Sequence, residues 1–426
     1  MRRMSEKSRD IIDRDYEVIS SLTRAYDLVV DHAKGSTIYD IEGNSYIDFA
    51  AGVAVMNIGY DCRKVTEAVS AQMEKMPHCG FSDFCAEMPV RLAEKLCSMT
   101  EYEKVFFSNS GAEAVEAAMK LAYWYTKRRG MIAFYQAFHG RTLGALSLSC
   151  SKIRHKEHFP SLDAIHSPYA YCYRCYRCLE YPDCDMACAT EIEEIVFKRE
   201  LSPADTAAIV VEPIQGEGGI IVPPPEFHKE LRKICDEHNV LLIADEIQSG
   251  GFRTGKFMGM ENFGVKADIV CMSKSIGGGI PLGATLSSKN IMSWPPGTHA
   301  NTFGGNLLAA AGGLATLEFM ESSGLGKKAV EKGKYLMKYL KELQEKFDII
   351  GDVRGIGLMI GVELVEENKK PAMEERDLIV KNALEEGLIL LGAGDSVIRF
   401  VPPLIIKQDE MEKGLEIFES ALKNSV

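Results

Sequence analysis

The chain has 426 residues, 46% of them hydrophobic, and its 61 acidic against 49 basic side chains give a net charge of −12. That length exceeds one compact core and implies two domains, or one large domain with a smaller lobe. The acidic balance argues against nucleic acid or an anionic membrane surface as main partner, and no apolar run is long enough to span a bilayer.

The first thirty-five or so residues read as an arm. They lead into Ser36-Thr37-Ile38-Tyr39-Asp40-Ile41-Glu42-Gly43-Asn44, whose alternation around a Gly-Asn turn predicts a hairpin. Val105–Phe107 reads as a short strand, and Gly111–Lys127 as an Ala- and Glu-rich helix. Further strands are expected at Met131–Phe134, Ala207–Val211, Val240–Ala244 and Asp268–Met272, with a helix at Pro225–His238. Strands alternating with helices imply a mainly parallel sheet covered on both faces. Near Leu325 the texture changes. A charged helix, Lys327–Phe347, is followed by a glycine-broken strand region, Val353–Leu364, and a helix, Met373–Glu386. Short strands near 388–391 and 397–400 and a closing helix complete an α+β lobe. The expected division is residues 1–60 as arm and part of the small lobe, 61–325 as the large domain and 326–426 as the small domain.

In an open parallel sheet, ligands bind beyond the carboxyl ends of the strands. Here those ends are followed by Ser108-Asn109-Ser110-Gly111, Glu212-Pro213-Ile214-Gln215-Gly216-Glu217, Asp245-Glu246-Ile247-Gln248 and Ser273-Lys274. Lys274 leaves a strongly apolar strand, so partial desolvation disfavours its ammonium form and leaves a nucleophilic amine able to form an imine. A surface lysine past a strand is the plain alternative, and Asp245 weighs against it. A carboxylate closing an apolar strand needs a partner. The ring nitrogen of pyridoxal phosphate, which must stay protonated for the ring to withdraw electrons, is such a partner; a structural helix cap is the competing role. Ser110-Gly111-Ala112 opens a helix directly after a strand, where free N–H groups and the helix dipole attract a phosphate.

Together these residues resemble the class III aminotransferases of the fold-type I pyridoxal-phosphate enzymes, from about residue 36 to the end. The motifs that carry the resemblance are Ser108-Asn109-Ser110-Gly111-Ala112-Glu113-Ala114, Ala137-Phe138-His139-Gly140-Arg141-Thr142 and Val211-Glu212-Pro213-Ile214-Gln215-Gly216-Glu217-Gly218-Gly219. Ile243-Ala244-Asp245-Glu246-Ile247-Gln248-Ser249-Gly250 with Arg253-Thr254-Gly255, and Ser273-Lys274-Ser275-Ile276-Gly277-Gly278-Gly279, follow in the family's order. The resemblance implies a large domain with a mainly parallel sheet flanked by helices, plus a smaller α+β lobe built from the N-terminal arm and the C-terminal region. It implies pyridoxal 5′-phosphate held by Lys274 as a Schiff base. Asp245 would pair with the ring nitrogen and Gln248 with the ring hydroxyl, while Phe138 and Ile247 pack on the two ring faces. Ser110, Gly111 and Ala112 would take the phosphate, with His139 and Glu212 completing the cofactor set. Thr302, in Asn301-Thr302-Phe303-Gly304-Gly305-Asn306, looks like the residue this family lends to the neighbouring subunit's phosphate, which implies a homodimer with shared active sites.

Within the family the chain is most similar to 4-aminobutyrate and ornithine aminotransferases. By that likeness Glu217 and Arg399 pair when an ω-amino donor binds, and Arg399 is freed for the α-carboxylate of glutamate. Arg141 would hold the distal carboxylate, an Arg–carboxylate fork supplying orientation as well as charge. The partners expected are therefore a small amino acid and an oxo acid. An amino-acid racemase on the same scaffold is the alternative, because it would use the same cofactor residues. A non-catalytic regulator is disfavoured by the presence of both Lys274 and Asp245.

The chain departs from the family where Gly59-Tyr60-Asp61-Cys62-Arg63 replaces a usual Gly-His-x-His-Pro, and where Leu307 replaces the proline after Asn306. Twelve cysteines and the absence of an apolar signal core after the basic start point to the cytoplasm and to mostly free thiols. Cys172, Cys175, Cys178, Cys184 and Cys188 form a cluster. Free thiols or a local disulfide are expected there and no metal, with these five as the candidate ligands should one bind.

Overall fold

Short, apolar, β-branched segments build the centre of the molecule. The computed structural model, which describes residues 4–20, 22 and 24–425, gathers them into a seven-stranded sheet. Its order is Lys104–Ser108, Gly283–Ser287, Ile269–Met272, Leu241–Asp245, Thr206–Val211, Gly130–Phe134, Ala164–Ser167. Neighbours run parallel except at Gly283–Ser287, which is antiparallel to both strands beside it. Alternate residues feed two cores. Ile209, Val211, Leu242 and Val270 pack with Phe227, Leu231 and Ile234 of the helix Pro225–His238. Ala208, Val210, Ile243 and Cys271 pack with Ala114, Val115 and Ala118 of the helix Gly111–Thr126. Burial on both faces is why these strands read as continuous apolar runs.

The helix Gly111–Thr126 begins where local chemistry starts it. Ser110 Oγ accepts the Glu113 N–H at 3.2 Å, and the Glu113 carboxylate accepts the Asn109 N–H at 2.7 Å. This reciprocal capping also fixes the loop that leaves the strand Lys104–Ser108. The strands expected from the sequence are present. Two others escape the pattern: Ala164–Ser167 is a half-buried edge strand, and Gly283–Ser287 has Leu286 as its one large apolar residue although it is buried throughout.

Both chain ends join in a second region. Thr37–Asp40 pairs antiparallel with Val30–Lys34 and with Ser45–Asp48, and Ser45–Asp48 pairs parallel with Leu388–Ile389. A four-stranded antiparallel sheet, in the order Ile350–Ile356, Met359–Leu364, Val397–Phe400, Leu391–Ala393, shares one core with the helices Leu325–Lys346, Met373–Glu386 and Gln408–Lys423. The expected arm is more ordered than its sequence implies. It contains the helix Glu6–Val18 and the strand Val30–Lys34. The helix buries only Ser8 and the strand is largely exposed, so neither carries an apolar periodicity to read; residues 1–3, 21 and 23 of the arm lie outside the described residues.

Arg253 ties the regions together. Its side chain is fully buried and donates to the carbonyls of Leu358 at 3.0 Å and Pro402 at 2.6 Å, and to Asn57 Oδ1. Among the described residues, no helix is long and apolar enough to cross a membrane.

Candidate active site

Lys274 leaves the strand Ile269–Met272 through a left-handed backbone (φ 44°), a costly conformation for a residue with a side chain. The turn is completed by Gly278 at φ 59°, where a Cβ would lie 2.2 Å from Thr316 Oγ1. Burial lowers the Lys274 pKa. The carboxylates of Asp245, Glu212 and Glu217 oppose that shift and Arg399 adds to it. Those four charged groups all act on one amine, although they come from distant parts of the chain. Among the described residues, the Lys274 side chain has no hydrogen-bond or ion-pair partner.

Asp245 ends the strand Leu241–Asp245 and is 4% exposed. Its Oδ2 lies 2.7 Å from His139 Nδ1, and its Oδ1 accepts the Ile247 N–H at 3.0 Å. His139 is fully enclosed. Burial works to lower its pKa, but the hydrogen bond and charge of Asp245, helped by Glu212, outweigh this and raise it. Glu212 accepts the N–H groups of Phe138 and Gly216, each at 3.1 Å. Desolvation first, with Asp245 adding, pushes its carboxyl up to about 7, against the pull of His139 and those two N–H groups. Glu246, next to Asp245, is structural: it binds Ser249 Oγ and the N–H groups of Gly259 and Met260 at 2.6 to 2.8 Å.

Arg399 is 6% exposed and donates from Nη2 to Glu217 Oε2 at 3.1 Å. Its Nε and Nη1 have no partner. The other Glu217 oxygen lies 3.7 Å from Lys152 Nζ, a residue no motif singles out. Arg141 is exposed, with its guanidinium carbon 5.6 Å from the centroid of the Phe138 ring. His155, also absent from any motif, meets that ring edge-on at 6.1 Å. Ile247 packs on Gly111, where a Cβ would approach Ile247 Cδ1 to 2.9 Å. Thr302 is exposed and hydrogen-bonds to none of these residues.

The aminotransferase class-III family model matches residues 20–422. The chain belongs to the class III aminotransferase family. A leucine/methionine racemase of Thermococcus litoralis is 38% identical, over 98% of this chain and 96% of its own. An acetylornithine aminotransferase of Clostridium acetobutylicum is 39% identical, over 93% of this chain and 97% of its own. An amine transaminase from an uncultivated Pseudomonas species, solved in its PLP-bound form, superimposes with a TM-score of 0.90 at 31% identity, covering 96% of this chain and 98% of its own. The fold is thus the fold-type I transferase fold that the motifs imply.

The class III residues of this chain fit pyridoxal phosphate on chemical grounds. A buried carboxylate at Asp245 suits a ring cation. Gln248 Oε1 is a buried acceptor with no partner, a vacancy that a ring hydroxyl would fill. The first-turn N–H groups of Gly111 and Ala112 have no intrahelical acceptors and suit a phosphate. Lys274 supplies a desolvated amine.

None of the site residues lines the space that the cysteine cluster borders. All twelve cysteines of the chain are free thiols, so the local disulfide admitted from the sequence is not formed.

Proposed function

We propose that this chain is a pyridoxal-phosphate-dependent aminotransferase, moving an amino group from an ω-amino acid of the 4-aminobutyrate or ornithine type to 2-oxoglutarate. The observation that carries this reading is the Arg399–Glu217 ion pair, 3.1 Å long, whose members both act electrostatically on Lys274. An arginine beside the reacting amine invites an α-carboxylate. Masked by Glu217, it instead tolerates a donor whose reacting carbon carries no carboxylate. The two free guanidinium nitrogens leave it able to grip an oxo acid once Glu217 moves.

Pyridoxal phosphate, when bound, supplies an aldehyde that condenses with amines and a ring that accepts the electrons of the neighbouring C–H bond. Lys274 Nζ is the amine that would hold that aldehyde carbon and carry the proton to and from the donor carbon. Asp245, oriented by His139, would keep the ring nitrogen protonated. Gln248 would accept from the ring hydroxyl, and Phe138 and Ile247 would pack against the ring. Glu212 braces the Phe138 backbone, while Ser110, Gly111 and Ala112 anchor the phosphate. Arg141 binds the carboxylate at the far end of the substrate. The exposure of Thr302 supports a homodimer in which it is offered to the second copy's site. Free thiols throughout suit a cytoplasmic location.

A screen of amino donors with and without 2-oxoglutarate, read by chiral chromatography, tests the assignment. Glutamate is expected to form only when an ω-amino donor and 2-oxoglutarate are both present. The likeness to a leucine/methionine racemase at 38% identity favours a second reading, an amino-acid racemase using the same Lys274. Scrambling of a pure L-amino acid without any oxo acid, and no glutamate from any ω-amino donor, would replace the first reading by the second.

A further inference from the structure

Between the strand Ala164–Ser167 and the helix Ala187–Glu191 the chain makes a long excursion with one short turn of helix, Cys172–Arg174. Long segments of this kind inside a compact domain need something to hold them. Cys172, Cys175, Cys184 and Cys188 all line one void of about 20 Å³, walled by Tyr169, Tyr171, Tyr181 and Met186. That space admits a single ion or water and no organic ligand. Cys178 does not line it; Cys178 and Cys172 are exposed, and the other three are half-buried.

The four thiols arrive as two pairs, three and four residues apart, and each pair opens on a tight turn. The Cys178 N–H donates to the Cys175 carbonyl and the Ala187 N–H to the Cys184 carbonyl, both at 3.0 Å. Paired cysteines at such spacings are the usual way a protein surrounds zinc. No carboxylate lines the void, and Arg177, which does, is engaged by Glu191 at 2.6 Å. A central cation would hold these cysteines as thiolates, because coordination deprotonates thiols.

We propose that Cys172, Cys175, Cys184 and Cys188 form a structural thiolate site for one soft divalent cation, zinc. The site is open: among the described residues no three of these sulfurs lie within 4.8 Å of one another, so closure requires the side chains to turn into the void they share. The same segment reaches the C-terminal region, where Tyr171 and Arg174 both hydrogen-bond the buried carboxylate of Glu363. Arg354 bonds Glu363 at 2.6 Å and also the Gly219 carbonyl at 2.6 Å, in the loop that carries Glu217. A metal clip would therefore steady the backbone beside the Arg399–Glu217 pair.

The test is elemental analysis of the holoenzyme, purified without chelator or metal-affinity tag. The expected content is about one zinc per chain, lost in Cys184→Ser and in Cys188→Ser and retained in Cys178→Ser, with cofactor absorbance preserved in each. His238→Ala is a control, because His238 with Glu193 and Glu237 forms a separate cluster of potential ligands. Should the cysteine variants be insoluble, thiol alkylation of the wild-type holoenzyme serves instead. The four cysteines should resist until a chelator is added, while Cys178 reacts at once. Wild-type enzyme that holds no zinc and takes up none from equimolar zinc overturns the proposal. So does zinc that leaves with His238→Ala and stays in Cys184→Ser, or alkylation of the four that needs no chelator.

Discussion

His139 Nδ1 and Asp245 Oδ2 are 2.7 Å apart, and both side chains are almost completely shielded from water. The second nitrogen of His139 has no partner, so the imidazole is held by Asp245 alone, and Asp245 is in turn oriented by the imidazole and by the Ile247 N–H. The histidine therefore acts on the reaction only through the carboxylate. His139→Asn is expected to lower kcat by ~10- to 100-fold, the usual range for a residue that orients a reactive one. Asp245→Asn is expected to cost ~100-fold or more, matching ~3 kcal/mol for a buried charge-assisted hydrogen bond. Steady-state kinetics at saturating cofactor check both. A His139→Asn loss equal to that of Asp245→Asn would count against a purely orienting role.

The Arg399–Glu217 pair makes the two half-reactions separable. Arg399→Ala is expected to lower kcat/KM for 2-oxoglutarate by ~100- to 1,000-fold, the loss of a charged fork on a carboxylate, and to change capture of an ω-amino donor by less than ~5-fold. Glu217→Gln should unmask the guanidinium and shift preference towards α-amino donors. Single-turnover absorbance, taken separately for donor and acceptor, measures each effect. Equal losses on both sides would rule out a gate.

The strand ends that carry Ser110, Glu212, Asp245 and Lys274 are legible in the sequence because apolar runs stop abruptly at polar groups, and the sheet brings all of those stops to one rim. Their mutual electrostatics are not legible. That Glu217 and Arg399, 182 positions apart, share a hydrogen bond depends on how the C-terminal sheet lies against the loop after Val211, which no local pattern encodes. Lys152 and His155 are missed for a similar reason. They sit in or beside an irregular stretch with a single short turn, Ile153–His155, and gain meaning only from the Glu217 and Phe138 side chains they meet. The strand Gly283–Ser287 lacks the β-branched run that marks its neighbours, so its burial comes wholly from tertiary packing.

Lys274 should titrate below the 10.5 of an unperturbed lysine, since burial is the largest cause of its shift. The rate at which apoenzyme captures pyridoxal phosphate should therefore rise with pH and level off at a lower pH than it would for an unperturbed lysine. Arg399 lowers the Lys274 pKa and Glu217 raises it. Arg399→Ala should accordingly move the plateau to higher pH and Glu217→Gln to lower pH. Stopped-flow absorbance across pH follows the plateau, and displacements in the opposite senses would contradict the arrangement of charges around the amine.

Glu212 gives a stability signature with a definite sign. Its carboxyl is raised from 4.5 to about 7, first by burial. Between those values the folded apoprotein keeps a proton that the unfolded chain has released. The stabilisation from Glu212 is therefore complete below about 4.5 and is lost as pH rises through about 7. Other groups titrate over the same range; Glu246, also raised to about 7, behaves alike, so the informative quantity is a difference. Glu212→Gln removes the titration, and the Tm of wild-type apoprotein measured relative to the variant should fall as pH climbs from 5 to 8, about the window set by the two pKa values. Differential scanning calorimetry reads this directly. A wild-type-minus-variant Tm that stays flat or rises over that window would mean that Glu212 is charged in the folded protein at low pH, with the Phe138 and Gly216 N–H groups outweighing its desolvation.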